Sequence, residues 1–134
     1  MANIKKILLV EDEPDLVTLY QVAFRMNSEF ELKMAGDVES ALSMIEEMRP
    51  DLILLDIIIP AYKNGIIEYE KREGLRLLEM IRQNPKLRPI KVVALTNLDS
   101  LEDRQRSKEL EVLEYVVKAG FTPQEVVNKV RNYL

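Results

Sequence analysis

A repeated alternation of short apolar runs with stretches of helical periodicity constrains this chain more than any other feature. Ile7-Leu8-Leu9-Val10, Leu52-Ile53-Leu54-Leu55 and Val92-Val93-Ala94-Leu95 are unbroken apolar runs, and Tyr115-Val116-Val117 is a shorter one. Runs of that length without polar interruption suit strands buried on both faces, as in a parallel sheet covered by helices. Phe30, Leu32 and Met34 instead alternate with polar residues, so this strand buries one face and belongs at a sheet edge. Between the runs, Leu16, Leu19, Tyr20, Ala23 and Phe24 recur at helical spacing, as do Val38, Ala41, Leu42 and Ile45, and then Leu75, Leu78 and Ile81. Asp37 can cap the second of these helices, and the third ends before Pro85. Asp99 to Glu111 reads as a helix with little apolar surface beyond Leu101 and Leu110, and its charged run Glu102 to Glu111 reads as a solvated face. Thr122-Pro123-Gln124-Glu125 predicts a capped last helix whose apolar face is Val126, Val127 and Val130, joined by Tyr133 or Leu134. Five strands alternating with five helices predict an α/β fold built on one parallel sheet.

The composition removes several kinds of chemistry. Cysteine and histidine are both absent, which excludes disulfides, thiol or imidazole catalysis and soft-ligand metal sites. A net charge of −4, with no basic block, argues against direct binding to nucleic acid. No apolar stretch is long enough to span a bilayer and no secretory leader is recognisable, so a cytoplasmic protein without membrane contact is expected. The 134 residues are expected to form one domain with no output domain.

Polar residues follow four of the five strand runs: Glu11 and Asp12, Asp56, Thr96, and Lys118. In a parallel sheet all carboxyl ends of strands lie along one edge, where ligands bind. Residues distant in sequence therefore meet there. Clustered carboxylates repel unless a cation joins them, and with oxygen ligands alone the fitting cation is hard, Mg2+ above all. A hydroxyl and an ammonium beside them can hold two further phosphoryl oxygens. The set describes phosphoryl transfer to a carboxylate, with Asp56 as nucleophile.

ILLVEDEP (Ile7 to Pro14), LILLDIIIP (Leu52 to Pro60), VVALTN (Val92 to Asn97) and YVVKA (Tyr115 to Ala119) together make the chain resemble the response-regulator receiver family over essentially its whole length. The resemblance implies a flavodoxin-like, doubly wound five-stranded sheet in the order 2-1-3-4-5. It implies that Asp12 ligates Mg2+ directly, Glu11 does so through water, and Ile58 lends its backbone carbonyl. Asp56 becomes the phosphoacceptor, with Thr96 and Lys118 completing the catalytic set. Thr96 and Tyr115 match the family's switching hydroxyl and aromatic. The implied partners are a histidine kinase or phosphotransfer protein upstream. Downstream stands a protein partner, or a second copy, on the face of the fourth helix, fifth strand and fifth helix. Such a protein is no enzyme toward other substrates; it catalyses only its own phosphorylation and dephosphorylation.

Three departures from the family pattern stand out. Ala119 occupies a position usually held by Pro. Residues 61 to 73 form an insertion between Pro60 and Gly74, and its Lys63-Asn64-Gly65-Ile66 segment predicts a small hairpin, with a disordered loop or an N-terminal extension of the third helix as alternatives. Ile58 and Leu98 are apolar where polar side chains could orient a hydrolytic water, so a long-lived phosphoryl group is expected. Rival readings fare worse. A haloacid-dehalogenase-type hydrolase needs a second Asp where Ile58 stands, and a flavin carrier needs a phosphate loop where Glu11-Asp12-Glu13 stands. A pseudo-receiver acting only as a protein-binding module is the remaining alternative.

Overall fold

In chain order the elements are β1 (Lys5–Val10), α1 (Pro14–Arg25), β2 (Phe30–Ala35), α2 (Val38–Met48), β3 (Leu52–Leu55), β4 (Ala61–Lys63), β5 (Ile66–Glu68), α3 (Glu73–Gln83), β6 (Lys91–Thr96), α4 (Leu101–Glu109), β7 (Tyr115–Val117) and α5 (Pro123–Asn132). The computed structural model describes residues 3–59, 61–63, 66–68 and 72–134. Five strands pair in parallel in the order β2-β1-β3-β6-β7, which is the 2-1-3-4-5 order of a doubly wound sheet. β4 and β5 stand apart as an antiparallel pair. Among the described residues no helix is long and apolar enough to cross a membrane.

The period of two along each strand divides the core into two layers. Leu8, Val10, Ile53, Leu55 and Val92 face α2 and α3, where Val38, Ala41, Ile45, Leu77, Leu78 and Ile81 cover them. Ile7, Leu9, Leu52, Leu54, Val93, Leu95 and Val116 face the other way, against Tyr20, Ala23 and Phe24 of α1 and Val126, Val127 and Val130 of α5. Because both faces are covered, β3 is apolar throughout, as are the stretches Ile7 to Val10 of β1 and Val92 to Leu95 of β6. β2, at the edge, keeps its alternation of partly buried and exposed residues.

Two expectations need correction. Leu19 is 52% exposed, because α1 turns Tyr20, Ala23 and Phe24 to the sheet and leaves Leu19 at the margin with the exposed Val22 and Met26. The charged run Glu102 to Glu111 is not simply a solvated face. Asp103 and Ser107 point inward and are buried, so α4 meets the protein through polar groups. Arg82, too, is buried. Its guanidinium donates to the carbonyls of Leu110, Arg88, Ile90 and Glu111 at 2.6–3.2 Å, tying the end of α3 to the segments flanking β6 and α4.

In the inserted segment, Ala61 pairs with Glu68, Tyr62 with Ile67 and Lys63 with Ile66, so Asn64 and Gly65 separate the two strands. Those two residues, and Tyr69 to Lys71, lie outside the described ones. The root of the pair is fixed by a parallel bridge between Ile59 and Arg72. Arg72 in turn donates two hydrogen bonds to Asp103 of α4, at 2.8 and 3.3 Å.

Candidate phosphoacceptor site

Strand register carries the site residues to one edge. Val10 is level with Leu55, and Leu55 with Ala94, so the residues that leave β1, β3 and β6 emerge side by side. The ladder continues briefly past the strands: Asp56 N–H donates to the Val10 carbonyl at 3.0 Å and Glu11 N–H to the Ala35 carbonyl at 3.0 Å. Thr96 is level with Val117, which places Lys118 at the same rim. Behind the rim, Gly74 N–H donates to the Ile57 carbonyl at 3.0 Å. A side chain at Gly74 would put its Cβ 2.0 Å from the Asp56 carbonyl oxygen, so only glycine lets α3 approach the Asp56 loop this closely.

The side chains meet as the strand ends suggest. Lys118 Nζ donates to Asp56 Oδ2 at 2.7 Å and to Glu11 Oε2. Asp56 Oδ1 accepts from Ile58 N–H at 3.0 Å, and Glu11 Oε1 accepts from Glu13 N–H at 3.2 Å. Glu11, Asp56, Thr96 and Lys118 are all buried, whereas Asp12 is exposed. Carboxylate oxygens of Glu11, Asp12 and Asp56 lie within 4.8 Å of one another.

The electrostatics of the cluster follow from its burial and its crowded charges. Burial, and then the charge of Asp56, push Glu11 well above the ordinary carboxylate range despite the Lys118 ammonium beside it. Burial also raises Asp12, with the Asp56 charge adding to it. Burial works against the Lys118 ammonium, but the charges of Asp56 and Glu11 outweigh it and its pKa rises. Three carboxylates thus crowd beside one ammonium, and burial with mutual repulsion raises the pKa of Glu11 and of Asp12. A hard divalent cation fits this all-oxygen donor set and would relieve the repulsion.

Thr96 Oγ1 accepts from Leu98 N–H at 3.2 Å. The Tyr115 hydroxyl donates to the Leu98 carbonyl, its ring is half-buried, and the Arg104 guanidinium lies 4.8 Å from the ring centre. Burial, reinforced by Asp103, pushes the Tyr115 hydroxyl up to about 12, so it remains a donor at neutral pH. Ile58 and Leu98 flank the site half-buried. The Lys118–Ala119 peptide is trans. Sequence reasoning assigned no part to Asn97, whose Oδ1 accepts from Ala119 N–H at 2.9 Å. Its place beside Thr96 was the available signal.

A family model for the response regulator receiver domain matches residues 7–131. The chain belongs to that family. As a receiver it is 35% identical over 130 residues to the alkaline phosphatase synthesis transcriptional regulatory protein PhoP of Bacillus subtilis, a match covering 97% of this chain and 48% of that protein. The receiver spans about half the length of the curated relatives it matches. Among solved structures, the Mn2+-bound form of response regulator Rcp1 is 33% identical with a TM-score of 0.71, over 85% of this chain and 81% of that one. The phosphorylated cyanobacterial phytochrome response regulator RcpA is 28% identical with a TM-score of 0.78, over 97% of this chain and 93% of that one. The Glu11, Asp12 and Asp56 cluster is the acidic pocket of a two-component receiver.

Proposed function

We propose that this receiver takes a phosphoryl group onto Asp56 from the phosphohistidine of a histidine kinase or phosphotransfer protein, in a Mg2+-dependent reaction. The observation that carries the reading is the convergence of Lys118, Glu11 and Asp56, residues from the ends of three strands, beside the Thr96 hydroxyl. In the transfer, an Asp56 carboxylate oxygen attacks phosphorus, the P–N bond to the donor imidazole breaks, and that nitrogen leaves with its electron pair. Ile58 N–H and Lys118 fix both oxygens of Asp56 before the donor arrives, so its plane is set in advance. Mg2+ held by Glu11, Asp12, Asp56 and the Ile58 carbonyl would neutralise the carboxylates and phosphoryl oxygens that otherwise repel. The Lys118 ammonium stands where negative charge accumulates. Thr96 accepts a hydrogen bond from its own loop, and its proton has no acceptor among the described residues, leaving it able to donate to a phosphoryl oxygen.

In this reading the stretch matched by the family model acts as a receiver domain with an insertion at 61–73, catalysing only its own phosphorylation and dephosphorylation. Capture of the phosphoryl group by Thr96 would then bias α4, β7 and α5, the face offered to a protein partner or a second copy. The net charge of −4 argues against direct contact between this receiver and nucleic acid. The test is incubation with Mg2+ and acetyl phosphate, followed by intact mass. One phosphoryl group should appear, and be lost in Asp56→Asn or on adding EDTA. Uptake that survives either treatment would sink the reading.

A further inference from the structure

We propose that Asn97 is a positioning residue for the phosphoryl-transfer site, holding Lys118 in place through the backbone of Ala119. The inference rests on the proposed phosphoryl transfer to Asp56 and goes beyond it to a residue outside the acidic cluster. Lys118 begins a short 3-10 turn, Lys118–Gly120, directly where β7 ends. The strand ladder that steadies Val117 against Thr96 stops there. Ala119 and Gly120 are exposed, and a Cβ built on Gly120 meets nothing within 4 Å. The turn therefore gains little from packing on its outer side. Its main chain is held by Phe121 N–H donating to the Lys118 carbonyl at 3.2 Å, a bond internal to the turn, and by Ala119 N–H donating to Asn97 Oδ1 at 2.9 Å.

The second bond crosses to the loop that carries Thr96. Three consecutive residues of that loop each accept a hydrogen bond: Thr96 Oγ1 from Leu98 N–H, Asn97 Oδ1 from Ala119 N–H, and the Leu98 carbonyl from the Tyr115 hydroxyl. The loop is thus fastened to β7 at its first residue and again two residues beyond its last. Asn97 supplies the fastening at the lysine end. The residue there must carry a free N–H, which Ala119 does. A short amide side chain at 97 reaches it while keeping the neighbouring Thr96 hydroxyl at the rim. Lys118 spans two carboxylates through a long, flexible stem, so drift of its backbone is drift of the ammonium from Asp56.

The experiment uses the full chain with Mg2+ and acetyl phosphate, reading the rate of phosphoryl uptake, the thermal midpoint and amide exchange at Ala119. Asn97→Leu keeps the size and removes the acceptor; Asn97→Asp keeps both. Uptake by Asn97→Leu should slow about three- to tenfold, as expected for one neutral hydrogen bond lost from a positioned group. Its thermal midpoint should stay near the wild-type value, and the Ala119 amide should lose protection. Asn97→Asp should keep the Ala119 protection and most of the rate. An Asn97→Leu variant that keeps pace with wild type overturns the inference, as does an Asn97→Asp variant slowed equally with Ala119 still protected. Either result leaves the phosphoryl-transfer reading standing. A wild-type chain that takes up no phosphoryl group overturns both.

Discussion

α4 and α5 both start from a well-made cap, yet they are held to the protein by opposite means. Ser100 accepts from Asp103 N–H at 3.1 Å, and Thr122 accepts from Glu125 N–H at 3.1 Å, with Glu125 closing a capping box. What differs is the inner face. α5 buries Val126, Val127 and Val130, while the buried residues of α4 are Asp103 and Ser107. Apolar burial is non-directional and tolerates small shifts. The hold on α4 is directional: Arg72 and Ser100 must both keep their aim on one carboxylate. A helix held that way leaves its seat once the bonds break, with little apolar surface to draw it back. α4 follows the Thr96 loop and α5 follows the Lys118 turn, so the site has one loose neighbour and one firm one.

The largest expected effect is in local opening. Amides in the middle of α4 should exchange at least about a hundredfold faster than those of α5 around Val127, because α4 opens without exposing a core. Equal protection of the two helices would break the comparison. Next come paired substitutions. Val127→Ala should lower global stability by about 2 kcal/mol, read from the denaturation midpoint. Asp103→Ala should cost about 1–2 kcal/mol in α4 protection while moving the global midpoint much less, since its partners Arg72 and Ser100 can turn to water. A global loss from Asp103→Ala as large as that from Val127→Ala would mean that α4 belongs to the core after all.

Acid should separate the helices further. Burial disfavours the Asp103 carboxylate, but the hydrogen bonds from Arg72 and Ser100 outweigh it and set its pKa below the ordinary 3.8. A carboxylate lowered on folding contributes stability that is fully present above its unfolded pKa and lost as pH falls through the folded one. Protection of α4 should therefore fall below about pH 4. Glu125 is lowered as well, by hydrogen bonds at the Thr122 cap, so the first turn of α5 loosens in the same range. Its valines do not titrate, and the middle of α5 should stay protected. Exchange measured across that range, with both helices in one sample, distinguishes the two; simultaneous loss would refute the polar hold.

The sheet was legible because unbroken runs such as Leu52 to Leu55 carry their burial in their own composition. The rim was legible because parallel register forces Glu11, Asp56, Thr96 and Lys118 to one edge whatever lies between them. What stayed hidden depends on partners far away in sequence. Asp103 looks like any helix-surface acid until Arg72, 31 residues earlier, is seen to bond it. Arg82 reads as a solvent-facing position on α3 until four carbonyls surround it. Leu19 failed for a different reason: periodicity gives the direction of a stripe but not its width, which is set by what covers it.

The smallest expected effect has the opposite sign. Ser107 is fully buried in α4, and its hydroxyl has no hydrogen-bond partner among the described residues. An unpaired buried hydroxyl costs free energy, and serine is a poorer helix former than alanine. Ser107→Ala removes the oxygen without adding bulk, so both contributions favour the variant. Protection of α4 should rise by about 0.5–1.5 kcal/mol. The global midpoint should barely move, because α4 opens on its own before the core does. Amide exchange of α4 in the variant, compared with α5 as an internal standard, is the measurement. Loss of protection would mean that the hydroxyl has a partner and itself helps to hold α4. A gain would show that the helix is kept looser than its sequence position requires. If phosphoryl capture by Thr96 biases α4 as proposed, Ser107→Ala should also shift that balance toward the seated helix, by the same small free energy.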